Sequence, residues 1–326
     1  MHFEYQTPET MESAVREFMA GEDRVLIAGG TDLVPLLKSR ARKPARVLSL
    51  SRVRELKEVT LRRDGLFIGA MVPLAEVIEN PMIRKHVPTL ADSAQGIASP
   101  QVRNQGTVGG NLLQERRCLY FNQSESWRAQ IPACYALGGN VCHQIPSSKV
   151  CRALYYSDLA PVLLAFDSGA EIMDGQGPKT LSLQELIHHH ATGVNGKFIL
   201  KGVSIPHFSA GTRGKFLKAG VRSAIDFALV NVAVRYSPAG WHDENTQIRI
   251  VVGAMSPEPF YLEETARELA KSGKGLSCEA IAESALKEAE SRVSPIRETA
   301  VSAKTKKQSL AILRRAIQEM YSILPS

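Results

Sequence analysis

Two glycine pairs constrain this chain more than any other feature: Ala28-Gly29-Gly30-Thr31-Asp32 and Thr107-Val108-Gly109-Gly110-Asn111. The first follows an apolar run at 24–28, which reads as a buried strand entering a tight loop. Glycine lets a backbone take positive φ and come close to a ligand. Successive N–H groups in such a turn can cradle phosphate oxygens, and Thr31 can add a hydroxyl donor. Two loops of this kind can hold the two phosphates of a dinucleotide. Neither carries G-x-G-x-x-G, so a Rossmann fold is not indicated. Either pair taken alone is also what a plain tight turn looks like.

The chain has 326 residues, enough for about two domains. Thr7-Pro8 reads as a helix cap followed by proline at the first helical position. Met11, Ala14, Val15, Phe18 and Met19 then recur at helical spacing. Further helices are expected at 32–38, 73–78, 90–97 and 158–166. Strands are expected at 46–50, 66–70, 170–173, 197–205 and 216–221, with 227–236 and 248–252 as a hairpin pair. After Pro259 the period is helical, over 262–271, 279–292 and 304–323. This is an α+β pattern with a boundary expected near 206–214.

Four of the five cysteines fall in one stretch. Cys118, Cys134, Cys142 and Cys151 are separated by 15, 7 and 8 residues. A polar, loop-like segment of this length, about 115–153, is usually functional. Four thiolates can hold a [4Fe–4S] cluster or zinc. The close cysteine pairs common at structural zinc sites and in ferredoxin runs are absent, so spacing leaves both open. Arg116, Arg117, Arg128, Lys149 and Arg152 would suit an anionic cluster. Cys278 stands apart in a helical stretch and reads as a small buried residue. His188-His189-His190 cannot converge on one ion from a helix and reads as a solvated helix end. His143, beside Cys142, reads as a neighbour of the site at most.

The net charge of +7 permits an acidic partner or an anionic cofactor. With aromatics at 6% and scattered basic residues, no base-stacking platform is visible, and no nucleic acid is expected. No apolar run approaches a membrane span, and no leader pattern opens the chain, so a cytoplasmic protein is expected. Hydrolase and kinase motifs are absent.

The chain resembles the FAD-binding medium subunits of the molybdenum hydroxylase (xanthine dehydrogenase/CO dehydrogenase) family. The match runs through Ala28-Gly29-Gly30-Thr31-Asp32-Leu33, Arg103-Asn104-Gln105 and Thr107-Val108-Gly109-Gly110-Asn111. It continues through Ser157-Asp158-Leu159-Ala160-Pro161 and Lys218 to Asp226-Phe227-Ala228. The resemblance implies a two-subdomain, PCMH-type FAD-binding domain at 1–206, with the iron–sulfur insertion at about 115–153. A CO dehydrogenase flavoprotein-like domain at 207–326 would follow, with a small sheet and a helical end. It implies FAD contacts at Ala28, Gly29, Gly30, Thr31, Asp32, Leu33, Thr107, Gly109, Gly110 and Asn111, and further ones at Asp158 and Lys218.

Most of the family lacks the cysteine insertion. The stretch from Arg117 to Arg128, and the spacing after it, resemble the 4-hydroxybenzoyl-CoA reductase branch, where such a loop holds a [4Fe–4S] cluster on four cysteines. That implies ligands at Cys118, Cys134, Cys142 and Cys151. It also implies a [2Fe–2S] small subunit, a molybdenum cofactor large subunit, a ferredoxin-like donor and a hetero-oligomer, such as a dimer of heterotrimers. Arg103-Asn104-Gln105 and Leu112-Leu113-Gln114 look more like bacterial aldehyde oxidoreductases, which leaves an aldehyde or purine-type enzyme with outward electron flow as the alternative. A zinc-stabilised binding protein without redox chemistry is the reading from another class.

Overall fold

The computed structural model describes residues 2–192, 196–208, 210–222, 225–238, 248–272, 276–293 and 306–321. Three sheets organise them. Strands β1 (Glu4–Gln6), β2 (Arg24–Ile27) and β3 (Arg46–Ser49) form a parallel sheet in the order β1-β3-β2. Strands β4 (Val59–Arg62), β5 (Gly65–Gly69), β6 (Gly169–Asp174), β7 (Gly177–Ser182) and β8 (Ile199–Pro206) form an antiparallel sheet in the order β4-β5-β8-β6-β7. Strands β9 (Arg213–Ala219), β10 (Val230–Tyr236), β11 (Ile248–Gly253) and β12 (Phe260–Tyr261) form an antiparallel sheet in the order β12-β11-β10-β9. Mixed helices and sheets of this kind make an α+β chain.

The third sheet is covered on both faces, and β10 shows why. Val230, Val232 and Val234 alternate to one side and join a core with the helices Glu263–Ser272, Cys278–Ala289 and Lys306–Tyr321. Ala233 points the other way, into the main core. There it meets the helix Leu159–Ala165, whose seven residues are all buried. An apolar run without a polar face is what a helix enclosed on every side requires. Asp158 stands at its N-terminus and Phe166 at its C-terminus, matching the expected 158–166.

Most expected elements are present, with shifts of a few residues. The first helix, Met11–Met19, is capped by Thr10 and not by Thr7. Thr10 Oγ1 accepts from Ser13 N, and Thr10 N donates to Ser13 Oγ. A reciprocal cap satisfies two end donors at once and outcompetes the proline cue. The helix Lys306–Tyr321 lies within the expected 304–323, whose ends fall outside the described residues. The second glycine pair is a helix start and not a loop: Thr107 caps the short helix Val108–Leu112.

Candidate functional site

Both glycine pairs face one cleft. Its wall includes Ala28, Gly29, Gly30, Thr31, Asp32, Leu33, Thr107, Gly109 and Gly110. The first segment leaves β2 and turns into the helix Leu33–Lys38. Thr107 Oγ1 accepts from Gly110 N at 3.1 Å and shapes the second. The two walls meet at Gly29. A Cβ there would fall 1.6 Å from the Gln105 carbonyl oxygen, so only glycine permits this approach. Gly109 likewise packs on Ala70, where a Cβ would lie 2.8 Å from its side chain.

Asn111, Asp158 and Lys218 do not line this cleft. They belong to a hydrogen-bonded chain leading away from it. Ser157 Oγ donates to Asn111 Oδ1 at 2.6 Å. Asn231 Nδ2 donates to Asp158 Oδ1, and Lys218 Nζ donates to Asp158 Oδ2, both at 2.7 Å. Lys218 also reaches Gly96 O at 2.9 Å. Burial pushes the Asp158 carboxyl up; Lys218 and Asn231 oppose this. Lys218 faces a second cavity, shared with Asp226, Arg222 and Arg315.

The four clustered cysteines line one separate small cavity. Cys118 and Cys142 are buried, and Cys134 and Cys151 half-buried; all four are free thiols. Backbone N–H groups of Tyr120 and Phe121 donate to Cys118 Sγ, and those of Ala136 and Leu137 to Cys134 Sγ. Gln144 Nε2 adds a donor to Cys118 Sγ at 3.5 Å. Donors of this kind stabilise thiolate and tune metal-bound sulfur. Burial nonetheless pushes both thiols up, and the Cys151 sulfur adds to this.

A single tetrahedral zinc needs its sulfurs within about 2.3 Å of one point. Among the described residues, no group of three or more His, Cys, Asp or Glu side chains is placed to hold one metal ion. Of the five basic residues singled out near the cysteines, only Arg152 lines their cavity. Arg128 is buried and holds the loop itself, donating to the carbonyls of Phe121 at 3.3 Å, Ser39 at 2.9 Å and Gln123. Arg116 donates to the Ala191 carbonyl. Tyr120 and His143 line the cavity as well, stacked at 5.1 Å.

The two cavities are joined by side chains that the sequence does not flag as a group. Asp32, on the glycine cleft, accepts from Arg117 Nη2 and from Glu115 N, both at 2.9 Å. Burial pushes its carboxyl up, and Arg117 pulls it back. Arg42 lines the glycine cleft, donates to Glu115 Oε1 at 3.0 Å, and reaches Ala136 O in the cysteine loop at 3.4 Å. His190 sits at the helix end, in the last turn of Leu183–Thr192, but it is half-buried and not solvated: Nε2 lies 3.3 Å from Gln114 O, and burial pulls its pKa down. His188 fits the expectation better, being exposed and 3.1 Å from Glu258.

Comparison with known proteins decides the family. A family profile described as "FAD binding domain in molybdopterin dehydrogenase" matches residues 1–208. The chain belongs to this family. A second profile, "CO dehydrogenase flavoprotein C-terminal domain", matches residues 215–320. The FAD-binding subunit PaoB of aldehyde oxidoreductase from Escherichia coli K12 is 27% identical over 286 residues, 84% of this chain and 88% of that one. The carbon monoxide dehydrogenase medium chain of Hydrogenophaga pseudoflava is 37% identical over 111 residues, 34% of this chain and 39% of its own. The fold agrees with the crystal structure of quinoline 2-oxidoreductase from Pseudomonas putida 86, at a TM-score of 0.74 and 22% identity. That alignment covers 99% of this chain and 96% of that one. This member of the molybdopterin dehydrogenase FAD-binding family is therefore a flavoprotein of the oxidoreductase class. The family descriptions name FAD and no iron–sulfur group. No helix among the described residues is long and apolar enough to cross a membrane.

Proposed function

We propose that this chain is an electron-transfer subunit that carries FAD in the glycine cleft and a [4Fe–4S] cluster on Cys118, Cys134, Cys142 and Cys151. The observation that carries the second half is the convergence of four free thiols, with amides aimed at two of them, on one cavity. A [4Fe–4S] cluster takes four cysteine thiolates and spreads them over four irons, so its sulfurs need not close on a single point. That fits this donor set better than zinc does.

When bound, FAD and a cluster together supply exchange between two-electron and one-electron steps. The protein's own work is to hold and insulate them. Gly29 and Gly109 let two backbone walls close on the cleft. Thr31 offers a hydroxyl there and Gly30 an N–H group, while the Thr107 hydroxyl holds the Gly110 N–H and so fixes the second segment. Ala28 and Leu33 give it an apolar edge. Asn111 and Asp158 brace that wall from two helix starts, and Lys218 ties Asp158 to the C-terminal sheet; we place all three as supports of the FAD site, with Lys218 able to reach the ligand from the second cavity. On this reading 1–206 is the FAD-binding unit and 207–326 the C-terminal unit.

The finer reading is a subunit of a 4-hydroxybenzoyl-CoA reductase-type complex in the cytoplasm. A ferredoxin-like donor would supply electrons. A [2Fe–2S] small subunit and a molybdenum large subunit would complete the complex as a dimer of heterotrimers, and the large subunit would remove the phenolic hydroxyl. The cysteine loop supports this reading. The extended similarity to an aldehyde oxidoreductase subunit favours a second one, with electrons leaving the large subunit.

An anaerobic absorbance spectrum of the purified chain, with iron, zinc and flavin quantified together, tests the proposal. The expected result is about one FAD and about four irons per chain. Flavin without iron after anaerobic reconstitution would refute the cluster, and zinc without flavin would refute both halves.

A further inference from the structure

Arg117 ties the ends of the cysteine loop to the glycine cleft. Its backbone exchanges two hydrogen bonds with Leu154, at 2.8 and 3.0 Å, which staples the loop shut three residues beyond Cys151. Its guanidinium donates to Asp32 at 2.9 Å. The same group lies 4.4 Å from the centre of the Phe227 ring, and Phe227 packs on Tyr156 at 5.2 Å. Arg117 Nε is buried without a hydrogen-bond partner among the described residues. A half-buried cation held between one carboxylate and one ring face has few positions open to it. Cys118 is the next residue, so the backbone that carries one cavity cysteine also carries the side chain that holds Asp32.

We infer that Arg117 is a positioning residue that couples the two cofactor sites, so that filling the cysteine site tightens FAD binding. This rests on the proposal that the cysteines hold a cluster. Filling the cysteine site fixes Cys118 and with it Arg117. A fixed Arg117 holds Asp32 in the conformation that shapes the first glycine segment. An emptied cysteine site frees the loop, and the Asp32 wall loses its brace. Binding linkage is reciprocal, so FAD raises cluster retention by the same factor. A coupling of about tenfold lies in the usual range between sites.

The test is a double-mutant cycle on the full chain, read by flavin fluorescence as FAD affinity, with iron measured in each sample. Cys134→Ser empties the cysteine site, and Arg117→Gln breaks the link. In the Arg117 background, Cys134→Ser is expected to weaken FAD about tenfold. In the Arg117→Gln background it is expected to change FAD affinity less than about twofold. Arg117→Lys keeps the charge but loses the planar contact with Phe227, so it is expected to retain part of the coupling; it serves also if Arg117→Gln does not fold. Four irons in the wild type with effects that simply multiply would overturn the coupling and leave the cluster proposal standing. A wild type that takes up FAD but no cluster on anaerobic reconstitution would overturn the cluster proposal and the coupling together.

Discussion

Regular elements hold the backbone around the glycine cleft, whereas side chains hold it around the cysteine cavity. The cleft is framed by β2, a threonine-capped helix and two glycines that let main chains touch. The cysteine stretch has only one short helix, Glu125–Arg128, and one 3-10 turn, Tyr135–Leu137. It is pinned instead by Arg128, by Arg42 and by a small core in which Phe121, Leu154 and Tyr156 pack on Leu36 and Ala254. The first site is walled largely by main chain that regular elements hold in place. The second is lined by four free cysteines, two buried and two half-buried. A preformed cleft spends little of its binding energy on ordering, while a thiolate site gains part of its order from the metal it takes.

The largest effect expected from this difference is at Gly29. Gly29→Ala drives a methyl into the Gln105 carbonyl, a backbone atom that cannot swing away. The expected cost is about 4 kcal/mol or more, with loss of FAD, as read by urea unfolding and flavin content. A stable variant with full flavin would show that the cleft walls do not meet there. Next comes Asp158→Asn, which leaves the half-buried Lys218 charge without a carboxylate, with only neutral oxygens such as the Gly96 carbonyl to accept from it. Removing one partner of a buried pair costs about 3 kcal/mol. The same unfolding curve measures it, and a change below about 1 kcal/mol would remove Asp158 from the frame of the cleft. The smallest is Thr107→Ala. It deletes a cap on a short helix and should cost about 1 kcal/mol, with FAD weakened but iron unchanged.

The two regions were also unequally readable from sequence. Around the cleft, local rules and tertiary structure agree: the run at 24–28 is a strand, Asp32 opens a helix, and seven buried residues follow Asp158. Where local rules failed there, contact between distant segments was the reason. A glycine pair reads as a loop until Thr107 caps it and Ala70 presses on Gly109. In the cysteine stretch there is no period to read, and spacings of 15, 7 and 8 say nothing about convergence. The basic residues there invited a single electrostatic reading. The structure divides them: Arg117 goes to Asp32, Arg128 to three carbonyls, and Arg152 to the cavity. His190 was obscured by its two neighbours, since a histidine triplet gives no sign that one ring turns inward to Gln114.

The central claim is that one chain holds two distinct cofactor sites, and the flavin and iron content of Cys134→Ser tests it most directly. Cys134 lines the cysteine cavity and takes no part in the glycine cleft. At saturating FAD the account predicts about one flavin per chain with iron reduced to near background, set against about four irons in the wild type. Loss of both cofactors together in a chain that remains folded would contradict it.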